Sequence, residues 1–514
     1  MLRSMALRYS LILLAFLIGP GCCTAQAVHL DPTFGTDGFS TTPIGTGVDR
    51  AMGVALQPDG AIVLAGHGVN DLAVVRYTYE GVLDDGFGTG GKTVVSFNGA
   101  HSELRALCIQ PDGAIVAAGF TSGNFAVLRL LSNGVMDPDF GTEGVATTLV
   151  GSSGLAYCMA LQPDGRILVG GTCAEGIALA RYMPDGSLDP SFGNGGTLVI
   201  AVGYVNAEAA GIALLLDGRI MVCGSALMHN ATNDTYEQDL VLLRLLQNGT
   251  GDPTFGDDGL LTYTDEQDAG NEMGRAIVLQ PDGQSVVSGL WYNTVDNTQH
   301  FLTARFNADG ILDPEFGNNG VVLTNIGSNY TEVRDVALQP DGKILVVGSN
   351  YQDIVLARYH GNGQLDMTFS DDGTLETDFA DSYEYGTAVE LQADGRIVVA
   401  AYTSYFCADR DFAVVRYTNE LTSSVNGPSS TEQQFRIRQS NVPGAFWMDA
   451  ALEERSHIGL RIVDAMGREV MFRDLGMRAA GIMTERIDLT LLSAGSYVVE
   501  LIGLSNAIGR VIVP

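Results

Sequence analysis

Hydrolysis or elimination needs a nucleophile with a base, a carboxylate pair, or a set of metal ligands. The 514-residue chain spreads such residues thinly. His67, His101, His229 and His300 fall in four different segments, and neither HExxH nor GxSxG spacing occurs. Their convergence would need tertiary structure, so no catalytic residue is assigned. Acid pairs such as Glu266 and Asp268 read as solvated surface. The turns Gly256-Asp257-Asp258-Gly259 and Ser370-Asp371-Asp372-Gly373 suit calcium but lack the ligand alternation of an EF-hand loop. No metal ligand and no cofactor is assigned, and calcium is the one ion these turns would suit. Five cysteines follow Cys22 and Cys23: Cys108, Cys158, Cys173, Cys223 and Cys407. An odd number without CxxC spacing indicates neither a disulfide framework nor a zinc site.

The aromatic residues are more informative. Trp291, Tyr292, Tyr351, Tyr383, Tyr385, Tyr402, Tyr405 and Phe406 gather in the last third of a repeated region, among Asn, Asp and Gln. Aromatic faces with amide and carboxyl neighbours suit a sugar or a peptide. Whether they form a surface depends on the elements that carry them. The competing reading is that these rings pin long loops to the scaffold.

Those elements are repeats. LQPDG recurs at 56–60, 161–165, 279–283 and 338–342, with IQPDG at 109–113, LLLDG ending at Gly218 and LQADG ending at Gly395. The seven glycines step by 53, 52, 53, 65, 59 and 53 residues. Each precedes an apolar run such as AIVLAG, then a run ending in arginine, then LDPxFGxxG or a variant. Pro-Asp-Gly is a tight turn and the apolar runs are strands. Four short strands in each of seven units predict an all-β, seven-bladed β-propeller. The seventh unit lacks its LDPxFG half, and a lone Asp31-Pro32-Thr33-Phe34-Gly35 with one strand stands at the start. The N-terminal strand is therefore expected to complete the last blade, leaving no open edge.

Arginine precedes aspartate by eight residues in Arg76/Asp84, Arg129/Asp137, Arg181/Asp189, Arg244/Asp252, Arg305/Asp313 and Arg358/Asp366. Each is expected to pair across its blade's turn, with Arg416 meeting Asp31 through space. Features present in every blade are structural. Function should lie in what differs. Distances from the turn glycine to the arginine are 16, 16, 16, 26, 22, 16 and 21 residues. The variation falls between the second and third strands, as extended loops at Ser225–Asp239, Leu290–Phe301 and Tyr402–Asp411. Alternate loops of an up-and-down sheet share a face, so these loops define one variable face. The short sixth unit between two long ones would leave a groove.

Composition limits the partners. Net charge is -32, and lysine occurs only as Lys92 and Lys343. Nucleic acid and anionic membranes, which need clustered Lys and Arg, are excluded. Residues 1–27 read as a signal peptide: Arg3 and Arg8, the apolar run Leu11 to Ile18, and Ala25-Gln26-Ala27 as cleavage site. Lesser alternatives are an anchor helix or a lipid on Cys22. After signal removal no transmembrane segment is expected, and the protein would be secreted or held at the outer cell surface. Residues 421–432 (LTSSVNGPSSTE) are a linker. The domains are thus 1–27, a propeller over 28–420, the linker, and 433–514.

The units LQPDGRILVGG (161–171) and LARYMPDGSLDPSFGNGG (179–196) resemble delta-60 repeats of secreted bacterial β-propellers. That resemblance implies the propeller and carries no settled activity. Residues 433–514, with IVDAMGREV (462–470), Leu489–Ala494, GSYVV (495–499) and the terminal strand Arg510–Val513, resemble the C-terminal sorting domain of the type IX secretion pathway of Bacteroidetes. It implies a small Ig-like β-sandwich and the type IX machinery as partner. Asn441-Val442-Pro443 departs from the usual Asn-Pro, and Arg510 is the only terminal basic residue. The expected function is an exported binding or scaffold module for glycan or peptide. The alternatives are a propeller hydrolase or lyase acting on polysaccharide, and a purely structural adhesion component.

Overall fold

A computed structural model describes residues 28–419, apart from Asn98, 231–233, 265–269, 328–329, 380–381 and 406–408, together with the strands between 435 and 513. The expected signal peptide, the linker, Glu266, Asp268, Phe406 and Cys407 lie outside the described residues. The described chain is all β, and the repeat region is a seven-bladed propeller. The first blade is the pattern for the rest. Strands β2 (Asp49–Leu56), β3 (Ile62–Gly68), β4 (Asp71–Tyr77) and β5 (Lys92–Val95) pair antiparallel in sequence order. The preceding strand, β1 (Phe39–Thr42), belongs elsewhere: it pairs with Asp409–Tyr417 as the outer strand of the seventh sheet, Phe39 opposite Val415.

Local chemistry makes each element. In the first turn Gly60 donates to the Gln57 carbonyl at 2.9 Å, and Asp59 Oδ1 accepts from Ala61 N at 3.0 Å. Gly60 takes φ +88°, which a side chain would resist. The middle strands β3 and β4 read as continuous apolar runs because both their faces are covered by neighbouring blades. The core accordingly lies between sheets. Val116, Val127 and Phe140 of the second blade pack on Ala156, Val169 and Tyr182 of the third. Each fully buried large side chain contributes about 1.5–3 kcal/mol.

Each repeat arginine meets its aspartate. Nε of Arg76, Arg181, Arg244 and Arg358 donates to Asp84, Asp189, Asp252 and Asp366 at 2.7–2.8 Å. Arg129 pairs with Asp137, Arg305 with Asp313, and Arg416 with Asp31. The guanidinium also lies over the buried Phe of the FG pair, 4.5 Å from centroid for Arg358 over Phe369 and Arg416 over Phe34. A second nitrogen reaches the next blade: Arg76 Nη1 donates to Ser132 O at 2.5 Å. One side chain thus ties a turn to its own blade and to its neighbour.

The inner strands carry a device invisible in the repeat consensus. Each skips one residue in its pairing, a β-bulge: Met52, Arg105, Tyr157, Ala210, Arg275, Arg334 and Thr387. The residue before each bulge faces Gly66, Gly119, Gly171, Gly224, Gly289, Gly348 or Ala401. A Cβ on Gly119 would stand 1.8 Å from the Glu103 carbonyl oxygen. Glycine admits the bulge, and the bulge turns a side chain toward the axis.

The sequence reading of extended loops between second and third strands is corrected: among the described residues these segments are paired strands. They lengthen the hairpins: Ile220–Asn230 and Thr235–Leu245 are 11 residues each, against 7 in β3. Cross-strand pairing continues to Asn230 opposite Thr235. Residues 421–514 form a second compact unit with two antiparallel sheets. One holds Phe435–Gln439, Ala445–Leu452 and Gly481–Asp488; the other holds Glu469–Arg478, Ser456–Asp464, Gly495–Ile502 and Ile508–Val513.

Candidate functional site at the channel mouth

The bulge residues line a central cavity of ≈ 250 Å³ with Glu208. Three are arginines, and each meets a glutamate: Arg105 with Glu103, Arg275 with Glu208, Arg334 with Glu332. Each inner strand begins on the side of the variable hairpins, so residues two before the bulge stand nearer that face. There the seven positions are Arg50, Glu103, Leu155, Glu208, Met273, Glu332 and Tyr385. Variation on a constant scaffold is where recognition is expected.

Two of the four sequence-flagged histidines come together. His67 Nε2 lies 3.7 Å from Glu103 Oε1, and His101 Nε2 lies 3.1 Å from the same oxygen. His67 is buried, with neither ring nitrogen hydrogen-bonded. Burial pushes it down to about 4, so the ring is neutral at pH 7. His101 is exposed. The other two go elsewhere: His229 pairs with Asp234 at a hairpin tip, and His300 packs on Trp291.

The tyrosines sort in the same way. Tyr330, Tyr351 and Tyr383 meet edge to face in a row, with centroids 6.2 and 5.9 Å apart. Tyr351 is 61% exposed. Tyr385 stacks on Tyr402 at 4.9 Å and 19°. Tyr330 precedes Thr331–Leu338, Tyr351 is in the turn of the sixth hairpin, and Tyr383 begins Tyr383–Leu391. Arg50 and Arg410 both lie over the Tyr402 ring, at 5.4 and 5.5 Å. Arg50 is also the cross-strand neighbour of His67. The belt therefore runs from Tyr330 through Tyr402 and Arg50 to His67, Glu103 and His101, across blades six, seven, one and two.

Not every expected residue joins it. Trp291 is 6% exposed and packs in the core between the fourth and fifth blades, where the lengthened hairpin folds it inward. Tyr292 bonds Asn297 within its own hairpin at 2.6 Å. Of the Tyr405 side chain nothing is described. Sequence reasoning missed Arg50, Arg410, Glu103 and Arg105. The i, i+2 spacing His101-Glu103-Arg105 on one strand was the available signal. Among the described residues Cys108, Cys158, Cys173 and Cys223 are free thiols, and burial pushes Cys223 up to about 12, so they are packing residues.

Seven segments, 57–87, 110–140, 162–192, 216–255, 280–316, 339–369 and 392–422, match one family described as a β-propeller domain of unknown function, DUF5122. Each of the seven segments is similar to the DUF5122 β-propeller model. Six of the DUF5122 segments run from the inner-strand turn to the Phe of the FG pair and the seventh runs from that turn to 422, so they cover the scaffold and leave out the start of each inner strand. No curated protein matches the chain. Among solved structures, a streptogramin B lyase is similar at 12% identity and TM-score 0.45, over 74% of this chain and 97% of its own. Virginiamycin B lyase from Staphylococcus aureus follows at 12% and 0.43, over 73% and 99%. Drosophila plexin A, in complex with semaphorin 1b, follows at 8% and 0.39, over 74% and 86%.

Proposed function

We propose that this propeller is an exported binding module whose channel mouth takes an acidic ligand, a uronate-bearing glycan in first place. The observation that carries the reading is the pair Arg50 and Arg410 over Tyr402. The chain has 60 acidic against 28 basic residues, yet neither guanidinium is in an ion pair among the described residues. Two cations sharing one ring repel each other, and burial holds the Arg50 side chain below its ordinary value. A carboxylate ligand would relieve both effects through forked hydrogen bonds. The Tyr330–Tyr351–Tyr383 row beside it supplies stacking faces for sugar rings. The test is a glycan array with neutral and acidic saccharides. Acidic ligands should bind, and the Arg50→Ala/Arg410→Ala double variant should lose them. Equal retention of neutral sugars, or an unaffected double variant, would overturn the reading.

A second reading, a lyase or hydrolase acting on polysaccharide, is favoured by one observation. Neutral His67 beside Glu103 and His101 is a proton-transfer group next to the arginines. Release of reducing ends or of unsaturated uronate, lost in His67→Gln, would support it.

Export and attachment belong to the same proposal. The features of residues 1–27 and the sorting-domain resemblance of 433–514 support secretion through the type IX pathway, with the tail as a small sandwich. The pairing of Phe39–Thr42 with the seventh blade supports a ring latched by its N-terminal strand. A chain lacking 433–514 should accumulate inside the outer membrane.

A further inference from the structure

We infer that Asp353, Asp378 and Glu384 form a calcium site on the variable face, where the sixth blade meets the seventh. Their carboxylate oxygens lie within 4.8 Å of one another. Asp353 is in the turn of the sixth hairpin, Asp378 follows Thr374–Thr377, and Glu384 is near the start of Tyr383–Leu391. Three elements distant in sequence therefore converge on one point.

The independent observation is a pair of buried oxygens with nothing to bind. Glu384 is fully buried. Its Oε1 accepts from Ser382 Oγ at 2.6 Å, but its Oε2 has no hydrogen-bond partner. Thr403 stands directly opposite Glu384 in the antiparallel pair, so the two side chains share one side of the sheet. Thr403 is 1% exposed, and its Oγ1 also has no partner. Buried polar atoms are ordinarily satisfied, so two orphans side by side imply an absent third party.

The rest of the fold shows how a buried carboxylate is otherwise treated. Asp366, equally buried, receives Arg358 at 2.8 Å and Lys343 at 3.0 Å. Asp49 occupies the register of Glu384 in the first blade; its Oδ2 takes two backbone N–H groups, from Ile44 and Gly45, while its Oδ1 has no hydrogen-bond partner. Neither Asp353 nor Glu384 meets a basic side chain among the described residues. Burial pushes Glu384 up to about 7, with Asp378 and Asp353 adding repulsion, and Asp353 is raised for the same reasons.

The donor set selects the ion. All donors are oxygens, which excludes soft metals and suits calcium or magnesium. Magnesium keeps several waters in strict octahedral geometry, whereas calcium accepts an irregular set of carboxylate and hydroxyl oxygens. The site differs from the Asp-rich turns Asp257-Asp258 and Asp371-Asp372. It is also independent of the acidic-ligand reading, because it uses none of Arg50, Arg410 or Tyr402. Tyr351 and Tyr383 are chain neighbours of its ligands, so an ion here would fix the hairpin turn and the inner strand that carry them.

The full chain, stripped with EGTA, is titrated with calcium chloride by calorimetry and followed by thermal unfolding. One saturable site is expected, with Kd of roughly 10⁻⁴–10⁻³ M, as in extracellular calcium modules, and a Tm that rises with calcium but not with magnesium. Glu384→Gln and Asp378→Asn should each weaken binding by at least about tenfold through the lost ligand charge, while Asp371→Asn should not. Asp378 is exposed, so its variant carries the test if Glu384→Gln does not fold. Absence of calcium heat and Tm shift in the unmodified chain would overturn the assignment. So would wild-type affinity in Asp378→Asn, or equal binding of magnesium.

Discussion

Arg416 donates through Nε to Asp31 Oδ2 at 2.9 Å, across 385 residues of chain. Both side chains are buried, and the same aspartate also receives Arg396 at 3.0 Å. The pair repeats the bond that each other blade makes across eight residues, so here a local contact joins the two ends of the propeller chain. Its Nη1 also donates to Tyr79 O at 2.5 Å in the first blade.

Removing Asp31 would leave two guanidiniums facing an empty buried position. Asp31→Ala should destabilise the propeller by about 3–5 kcal/mol, the cost of breaking a buried pair from one side. Asp84→Ala should cost less, because the Asp84 side chain is 27% exposed. Denaturant unfolding of both variants measures the difference, and equal losses would contradict a special role for the end-to-end contact.

The bulge glycines offer an internal comparison. Gly119→Ala places a Cβ 1.8 Å from the Glu103 carbonyl and should destabilise by about 1–3 kcal/mol. The seventh blade already carries Ala401 at this register, so Ala401→Gly should change stability by less than about 1 kcal/mol. Chemical denaturation reads both.

Two groups give stability opposite pH dependences. His67 is held down at about 4 against its ordinary 6.5, so its contribution is present above pH 6.5 and is lost as pH falls through about 4. Glu384 is raised to about 7 against 4.5, so its contribution is complete below pH 4.5 and is lost as pH rises through about 7. His67→Gln should flatten the acid limb of a Tm–pH profile, and Glu384→Gln the neutral limb. Calcium should restore stability above pH 7 in the unmodified chain alone.

The stacked pair can be tested without charge. Tyr385→Ala should remove the stacking partner of Tyr402 and weaken acidic-glycan binding by about 0.5–1.5 kcal/mol. Trp291→Ala should instead lower stability by about 3–5 kcal/mol, because Trp291 is core. Binding isotherms beside melting curves separate the two outcomes.

The repeat was legible because its information is local. Pro-Asp-Gly sets a turn within three residues, alternating and continuous apolar runs set strands, and seven copies set the blade number. Arginine eight residues before aspartate spans one turn, so that contact could be read by counting. The site was not legible in this way. Which residue bulges is decided by the register of two strands and a glycine opposite, and only then do Arg105, Arg275 and Arg334 face the axis. Tyr402 and Trp291 are both buried, at 8% and 6% exposed, yet one lies under Arg50 and Arg410 and the other packs between the fourth and fifth blades. Asp353, Asp378 and Glu384 meet only because adjacent blades bring separate turns to one seam. Sequence by itself determined the blades, since each is held by contacts a few residues apart. Tertiary structure decided which side chains share the channel mouth, since that follows from packing seven sheets around one axis.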